Sequence, residues 1–288
     1  MRVTWEEAGW EELAPRVGRC RLPVWDCTAG LVVGEDAALM IDAGSGLREG
    51  ARLRTEARRL LGGGRVTHLA LTHAHFDHVF GAAAFAGAEV FGAVGLERVL
   101  ADERDGRNRQ DGRDRQDEGD RQDEGDGHDE GDGHDGRDGQ DGLRADAVRN
   151  GADPGEAAEA ADLLVRPRHL VSGEWTLDLG GGIQVLLANV GPGHTAHDLA
   201  VLIPARPASP GDPATGSPEI VFCGDLVEES GDPQAGPDAV PSRWPAALDR
   251  LLALGGEEAV YVPGHGAAVD AGFVRAQRDA LARRFGVS

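Results

Sequence analysis

Three histidines and one aspartate fall within a stretch of six residues, in the segment Thr-His-Ala-His-Phe-Asp-His at 72–78. They are His73, His75, Asp77 and His78. Imidazoles and a carboxylate this close together would be costly to bury without a cation to pair them. The alternate spacing of His73 and His75 lets both rings point the same way from an extended segment. We therefore predict that this segment binds metal ions.

The residues on either side indicate how the histidine segment is positioned. Residues 66–71 form a short apolar run with β-branched side chains, which is typical of a buried strand. Residues 79–86 are rich in alanine and predict the start of a helix. The segment is thus expected on a loop between a strand and a helix, where a rigid scaffold commonly presents catalytic groups.

The pattern His-x-His-x-Asp-His after an apolar strand resembles the metallo-β-lactamase superfamily of binuclear metallohydrolases. Four further segments in the family's order add to the resemblance, and each lies where an apolar, strand-like run ends. They are Asp-Ala-Gly at 42–44, Gly-His-Thr at 193–195, Cys-Gly-Asp at 223–225 and Pro-Gly-His-Gly at 263–266. The resemblance implies an α/β fold, a four-layer αββα sandwich with its functional loops along one rim.

The resemblance also implies seven metal ligands for two divalent cations. Three imidazoles with an open place beside them would form the first position: His73, His75 and His194. Mixed ligands would form the second: Asp77, His78 and His265. The carboxylate of Asp225 would bridge the two. An open place distinguishes a catalytic zinc site from a closed structural one. Imidazole and carboxylate ligands suit zinc, and also iron or manganese. We expect two divalent ions, with zinc the first choice.

Three residues are expected to contribute beyond simple ligation. Asp77 could orient the attacking water or relay its proton. Asp42 matches a family residue that supports the ligand loops from behind, although a carboxylate at a turn or a helix cap is the alternative. His197 either touches the substrate or tunes His194 from behind, or it has only a surface or packing role.

The middle of the chain has a different composition. Residues 103–142 are dominated by a six-residue repeat, Asp-Arg-Gln-Asp-Glu-Gly and its variants, with almost no apolar side chains. Such a segment cannot build a core, so we predict a disordered insertion. We place it within a single domain that spans residues 1–288.

Charge and apolar patterning exclude several classes of partner. The net charge is −21, and only −10 of it comes from residues 101–142, so the rest of the chain is also acidic. Nucleic-acid binding needs a basic face, which we do not expect here.

No apolar run reaches eighteen residues, so no membrane span is expected. The acidic N-terminal segment lacks an apolar signal core, and the three cysteines form no Cys-x-x-Cys motif, which together predict a cytoplasmic protein.

The function that follows from the ligand set is hydrolysis of a small molecule. Two cations about 3.5–4 Å apart lower the pKa of a shared water, so that a bridging hydroxide can attack near neutral pH. We expect a small ester, thioester or lactone as the substrate. The alternatives are an iron-dependent persulfide dioxygenase, a β-lactamase-like activity and a non-catalytic metal-binding module.

Overall fold

The computed structural model describes residues 3–104, 142–208 and 216–287, which form two β-sheets packed face to face. The first sheet has seven strands that follow one another in space as in the chain: β1 (Glu11–Ala14), β2 (Val17–Arg21), β3 (Thr28–Val33), β4 (Ala38–Ile41), β5 (His68–Ala70), β6 (Glu89–Ala93) and β7 (His169–Val171). The second has five strands in the order β12-β11-β10-β9-β8: β8 (Glu174–Asp178), β9 (Gln184–Asn189), β10 (Leu199–Ile203), β11 (Ile220–Glu228) and β12 (Val260–His265).

Helices cover the outer face of each sheet. Those in the described residues are α1 (Leu47–Leu60), α2 (Phe76–Val79), α3 (described over residues 96–104), α4 (Leu143–Arg149), α5 (Pro154–Asp162), α6 (Trp244–Gly255) and α7 (Ala271–Phe285), with 3-10 turns at Glu6–Ala8 and Ala82–Phe85. Apolar residues of α1, α4 and α5 pack on the first sheet, and those of α6 and α7 pack on the second. The predicted αββα sandwich is confirmed.

Strand β10 shows why the sequence forms this layered core. Side chains alternate between the two faces of a strand. Leu199, Val201 and Ile203 belong to the core between the sheets. Ala200 and Leu202 belong to the core between the second sheet and its helices. Because both faces are buried, the strand is apolar along its whole length, as is usual for a sheet covered on both sides.

The parallel strands bring the predicted ligand segments to one rim. In the first sheet, β4, β5 and β6 run parallel, with Ile41 beside Ala70 and Ala70 beside Phe91. In the second, β11 runs parallel to β12, with Val221 beside Tyr261. The carboxyl ends of parallel neighbours meet at the same edge, so the loops that follow them are neighbours too.

Two expectations about elements need comment. The prediction of a helix at residues 79–86 was wrong in its extent. Helix α2 is a single turn at Phe76–Val79 and is followed by a 3-10 turn. The Gly81 N–H, which would continue the helix by donating to the Asp77 carbonyl, donates to the Gly44 carbonyl instead. Most of the predicted insertion at 103–142 lies outside the described residues, so its disorder and the single domain stay predictions. No helix among the described residues is long and apolar enough to cross a membrane.

The contact between α1 and the chain after α2 gives a first test. A Cβ at Gly50 in α1 would lie 2.2 Å from the Gly81 carbonyl oxygen. Alanine usually favours a helix over glycine by about 0.5–1 kcal/mol, but here the overlap should dominate. Gly50→Ala should lower the free energy of unfolding by about 1–3 kcal/mol, measured by urea denaturation.

Gly231→Ala is the matched control, because a Cβ there meets no atom within 4 Å. It should leave the free energy of unfolding nearly unchanged. A Gly50→Ala protein as stable as the wild type would contradict the close approach of these two segments.

Candidate metal centre

The structure brings all seven predicted ligands together at one rim of the sandwich. Four of them follow β5, one lies between β9 and β10, one lies in β11 and one ends β12. Among the described residues, three groups have ligand atoms that all lie within 4.8 Å of one another: His73, His75, His194 and Asp225; His78, Asp225 and His265; and Cys27, Asp77 and His78. Asp77 joins the second group, with its Oδ2 3.3 Å from His265 Nε2.

The Asp225 carboxylate lies between the two groups. Its Oδ2 is 3.5 Å from the Nε2 atoms of His73 and His194 and 3.3 Å from His265 Nε2. Its Oδ1 is 3.1 Å from His78 Nε2. One carboxylate therefore faces imidazoles of both predicted metal positions, as a bridging ligand must.

Two buried atoms in this cluster have no hydrogen-bond partner in the described part of the chain. They are His73 Nε2 and Asp225 Oδ1. An unsatisfied buried polar atom costs about 1–3 kcal/mol, and cations bound at the two predicted positions would remove that cost. The donor set, five imidazoles and two carboxylates, is of the kind that zinc, iron and manganese accept. The residues present thus fit a metal centre.

Each histidine is held through the ring nitrogen that faces away from the centre. The partners are Thr72 Oγ1 for His73 Nδ1 (2.9 Å), Asp238 Oδ2 for His75 Nε2 (3.1 Å), Asp42 Oδ2 for His78 Nδ1 (2.9 Å), the Gln234 carbonyl for His194 Nδ1 (3.2 Å) and the Trp25 carbonyl for His265 Nδ1 (2.7 Å). Such partners fix the tautomer and the orientation of metal-binding imidazoles. They leave Nδ1 of His75, and Nε2 of the other four, as the ligand atoms.

A cavity of about 1220 Å³ opens beside the cluster. Its floor includes the side chains of His75, Asp77, His194, Asp225 and His265. Apolar side chains form one part of its wall: Trp25, Phe76, Val99 and Leu143. Within the described residues, the cavity is large enough to place a small molecule against the ligand cluster.

Residues 22–265 match the sequence family described as the metallo-beta-lactamase superfamily. The chain belongs to that superfamily. Solved structures with a fold similar to that of this chain are also found. A metallo-beta-lactamase from Pontibacter korlensis superposes with a TM-score of 0.61 at 19% sequence identity, over 94% of this chain and 97% of that one. The TMB-1 structure gives a TM-score of 0.59 at 17% identity, over 96% and 97%. No curated protein matches the sequence significantly.

Asp42, predicted from the superfamily motif, lies directly behind two ligands of this metallo-β-lactamase site. Its carboxylate accepts hydrogen bonds from the main-chain N–H and the hydroxyl of Thr72, both at 2.8 Å, and from His78 Nδ1. The Thr72 hydroxyl in turn accepts from His73 Nδ1. The helix-cap alternative does not apply, because the N-cap of α1 is Gly46. Asp42 has φ of +56°, a strained conformation for a residue other than glycine.

His197 has surroundings different from those of Asp42. Its ring lies against Gly95, where a Cβ would be 2.1 Å from His197 Cε1, and it lines the cavity. The carboxylate that holds the Gly-His-Thr loop of the metallo-β-lactamase site is its neighbour Asp198, which is buried and accepts from the Thr195 N–H at 3.0 Å and hydroxyl at 2.7 Å. Thr-x-x-Asp is a known local hydrogen-bonding pattern, so this contact has a signal in the sequence.

The five histidines of the predicted metal positions differ in the direction of their pKa shifts. At His75 burial acts to lower the pKa, but the hydrogen bond to Asp238 outweighs it and raises the value. Burial, then neighbouring imidazoles, lower the pKa values of His73 and His194, so both rings are neutral and ready to bind a cation. At His78 and His265 burial also acts to lower the pKa, but neighbouring acidic groups outweigh it and raise both values. Neighbouring acidic groups therefore favour the charged form at three of the five imidazoles, and burial favours the neutral form at the other two.

Asp42 and His197 offer a paired test of their roles in metal binding. Asp42→Ala should weaken metal binding about 10- to 100-fold, which is the usual effect of removing a hydrogen-bond partner of a ligand. His197→Ala should leave the affinity within about twofold, because its ring contacts Gly95 rather than a ligand. Competition with a chromogenic chelator measures both. Equal losses in the two variants would contradict these assignments.

Proposed function

We propose that the protein is a metal-dependent hydrolase that acts on a small ester, thioester or lactone. The observation that carries the proposal is the convergence of five imidazoles around the buried Asp225 carboxylate at the floor of a cavity. A non-catalytic descendant would be expected to have lost ligands, and this chain retains all seven. The structure supports the reaction class more strongly than the particular substrate.

Two divalent cations, most simply zinc, would occupy the two positions. His73, His75 and His194 would hold the first, Asp77, His78 and His265 the second, and Asp225 both. When bound, such a pair lowers the pKa of a water and polarises the carbonyl that the water attacks. The chain's own contribution is to fix the ligands through the outer hydrogen bonds and to surround them with buried side chains.

Asp77 is the residue of this chain that we assign to proton transfer. Its side chain is nine-tenths buried and lines the cavity, with Oδ2 3.3 Å from His265 Nε2. Burial acts to raise the pKa of Asp77, but the charge of His78 and the hydrogen bond from His265 outweigh it and lower the pKa to about 2. Asp77 is therefore ionised at neutral pH, where it can accept the proton of an attacking water but cannot donate one.

The cavity favours a small acyl substrate over a nucleic acid. Besides Asp77 and Asp225, its wall includes Asp102, Glu103, Asp146 and Glu228, with Arg144 and Arg149 as the basic members. This excess of carboxylates repels a phosphate backbone, and the apolar part of the wall can receive an acyl group. We infer that no nucleic acid or membrane is a partner. Three buried cysteines without disulfides suit the cytoplasm.

A β-lactamase-like activity is the second candidate. It is favoured by the two similar solved structures, one named a metallo-beta-lactamase and the other described with substrate and inhibitor binding. The β-lactam ring is itself a cyclic amide, so the same hydrolytic groups would serve. We therefore include β-lactams in the test.

Parallel assays with chromogenic thioesters, lactones, esters, β-lactams and phosphodiesters decide the substrate class. A thioester, lactone or ester should be hydrolysed, chelation should abolish the activity, and zinc or manganese should restore it. His194→Ala should lower kcat by orders of magnitude. His169→Ala is the matched control, because His169 stacks on Phe91 away from the ligand cluster, and it should keep near wild-type kcat.

The pH profile adds a further check. Activity should rise with pH through a group that titrates around 7, the value expected for a metal-activated water. Asp77 titrates far lower and should add no second limb above about pH 4. Turnover of the phosphodiester alone, or oxygen consumption with a persulfide, would contradict an acyl hydrolase.

A further inference from the structure

Cys27 lies against the second metal position, although no motif in the sequence singles it out. It is the residue before β3 and is only 1% exposed. Its Sγ is 3.0 Å from the Asp77 carbonyl oxygen and 3.6 and 3.8 Å from the two ring nitrogens of His78. One thiol therefore touches two consecutive predicted ligands, across 50 residues of sequence.

The same short segment also holds the ligand that comes from the other sheet. The Trp25 carbonyl accepts from His265 Nδ1 at 2.7 Å, and Cys27 forms an isolated antiparallel bridge with His265. Residues 25–27 thus contact Asp77, His78 and His265, the three residues that would hold the second cation with Asp225. At the first position a different segment, residues 234–238, supports two ligands through the Gln234 carbonyl and the Asp238 carboxylate.

The ligands of the second position need such support because α2 is very short. A single helical turn is not stable on its own, and α2 has no side-chain cap at its N-terminus. Its carbonyl groups also lack the usual partners at the C-terminal end. The Gly81 N–H, which would serve the Asp77 carbonyl in a longer helix, donates to the Gly44 carbonyl instead. The His78 carbonyl accepts from the Ala43 N–H at 2.8 Å.

The Cys27 thiol supplies the missing donor at Asp77. The Asp77 carbonyl oxygen is closer to Sγ than either nitrogen of His78, and His78 Nδ1 already has Asp42 as a partner. A free cysteine behaves as a small apolar side chain with a weak S–H donor. Here the apolar part of Cys27 packs against the His78 ring while the S–H group faces the Asp77 carbonyl.

We propose that Cys27 is a positioning residue for the second metal position, which it holds in place through its hydrogen bond to the Asp77 carbonyl and its packing on His78. The inference rests on the two-metal centre of the proposed function. The Cys27 sulfur also lies within 4.8 Å of ligand atoms of Asp77 and His78, so direct ligation of the cation is the competing role that the test must separate from positioning. Loss of the thiol should therefore weaken the second binding step and leave the first intact.

The test compares stepwise metal affinities of the full-length protein by chelator competition, with zinc alone as the probe. Cys27→Ala should weaken the second step about tenfold and change the first by less than twofold. Cys27→Ser, which keeps a donor, should recover most of the loss. Cys27→Val, which fills the space without a donor, should behave like Cys27→Ala and replaces it if that variant does not fold.

Cys20→Ala is the matched control, because Cys20 is also buried but its Sγ lies no closer than 3.9 Å to the carbonyl oxygens it faces, those of Gly9 and Arg21. Both of its metal steps should equal those of the wild type. Cobalt(II) substitution gives an independent readout, since a sulfur ligand produces a thiolate-to-cobalt charge-transfer absorption. We expect none in the wild type.

The outcomes separate this inference from the proposed function. Two ions in the wild type and unchanged affinities in Cys27→Ala and Cys27→Val would overturn the positioning role alone. A charge-transfer absorption that disappears in Cys27→Ala would overturn it too, by making Cys27 a ligand. A wild type that takes up only one ion would overturn the two-metal centre and this inference together.

Discussion

The rest of the site depends on one buried carboxylate, that of Asp225. A carboxylate removed from water must be compensated by positive charge or hydrogen bonds. Four imidazoles approach Asp225 within 3.1–3.5 Å, and one of its oxygen atoms still lacks a hydrogen-bond partner. The arrangement fits a cage for cations, and the hydrogen bonds on the outer side of each histidine fix the shape of that cage.

The two sheets make this concentration of polar groups possible in the interior. Their inner faces form a continuous apolar core, so polar ligands are confined to the rim where strands end. Parallel pairing then sets which ends are neighbours: β4 lies beside β5, which brings Asp42 next to Thr72, and β11 lies beside β12, which brings Asp225 near His265. The core therefore stabilises the fold and determines the ligand geometry through strand register.

Much of this could be predicted from the sequence because its signals are local. The spacing of the histidine segment and the apolar strand before it predicted the loop that carries four ligands, and Asp42 was recognised from its motif. Asp238 and Trp25 could not be found in this way. They support His75 and His265 across 163 and 240 residues of sequence, and Trp25 does so through its main-chain carbonyl, which any residue type could provide.

Helix α2 shows how the second position depends on contacts that local patterning does not specify. Alanine-rich sequence after the histidines favours a longer helix, but the Gly81 N–H donates to the Gly44 carbonyl rather than back to Asp77. Because α2 stops after one turn, its carbonyl groups must be satisfied by other segments, by Ala43 for His78 and by Cys27 for Asp77. The geometry of the second position is thus set by tertiary contacts to residues 25–27 and Ala43, whereas His75 and His194 of the first are supported by residues 234–238. Substitutions in the segments around α2 should consequently act on one position more than on the other.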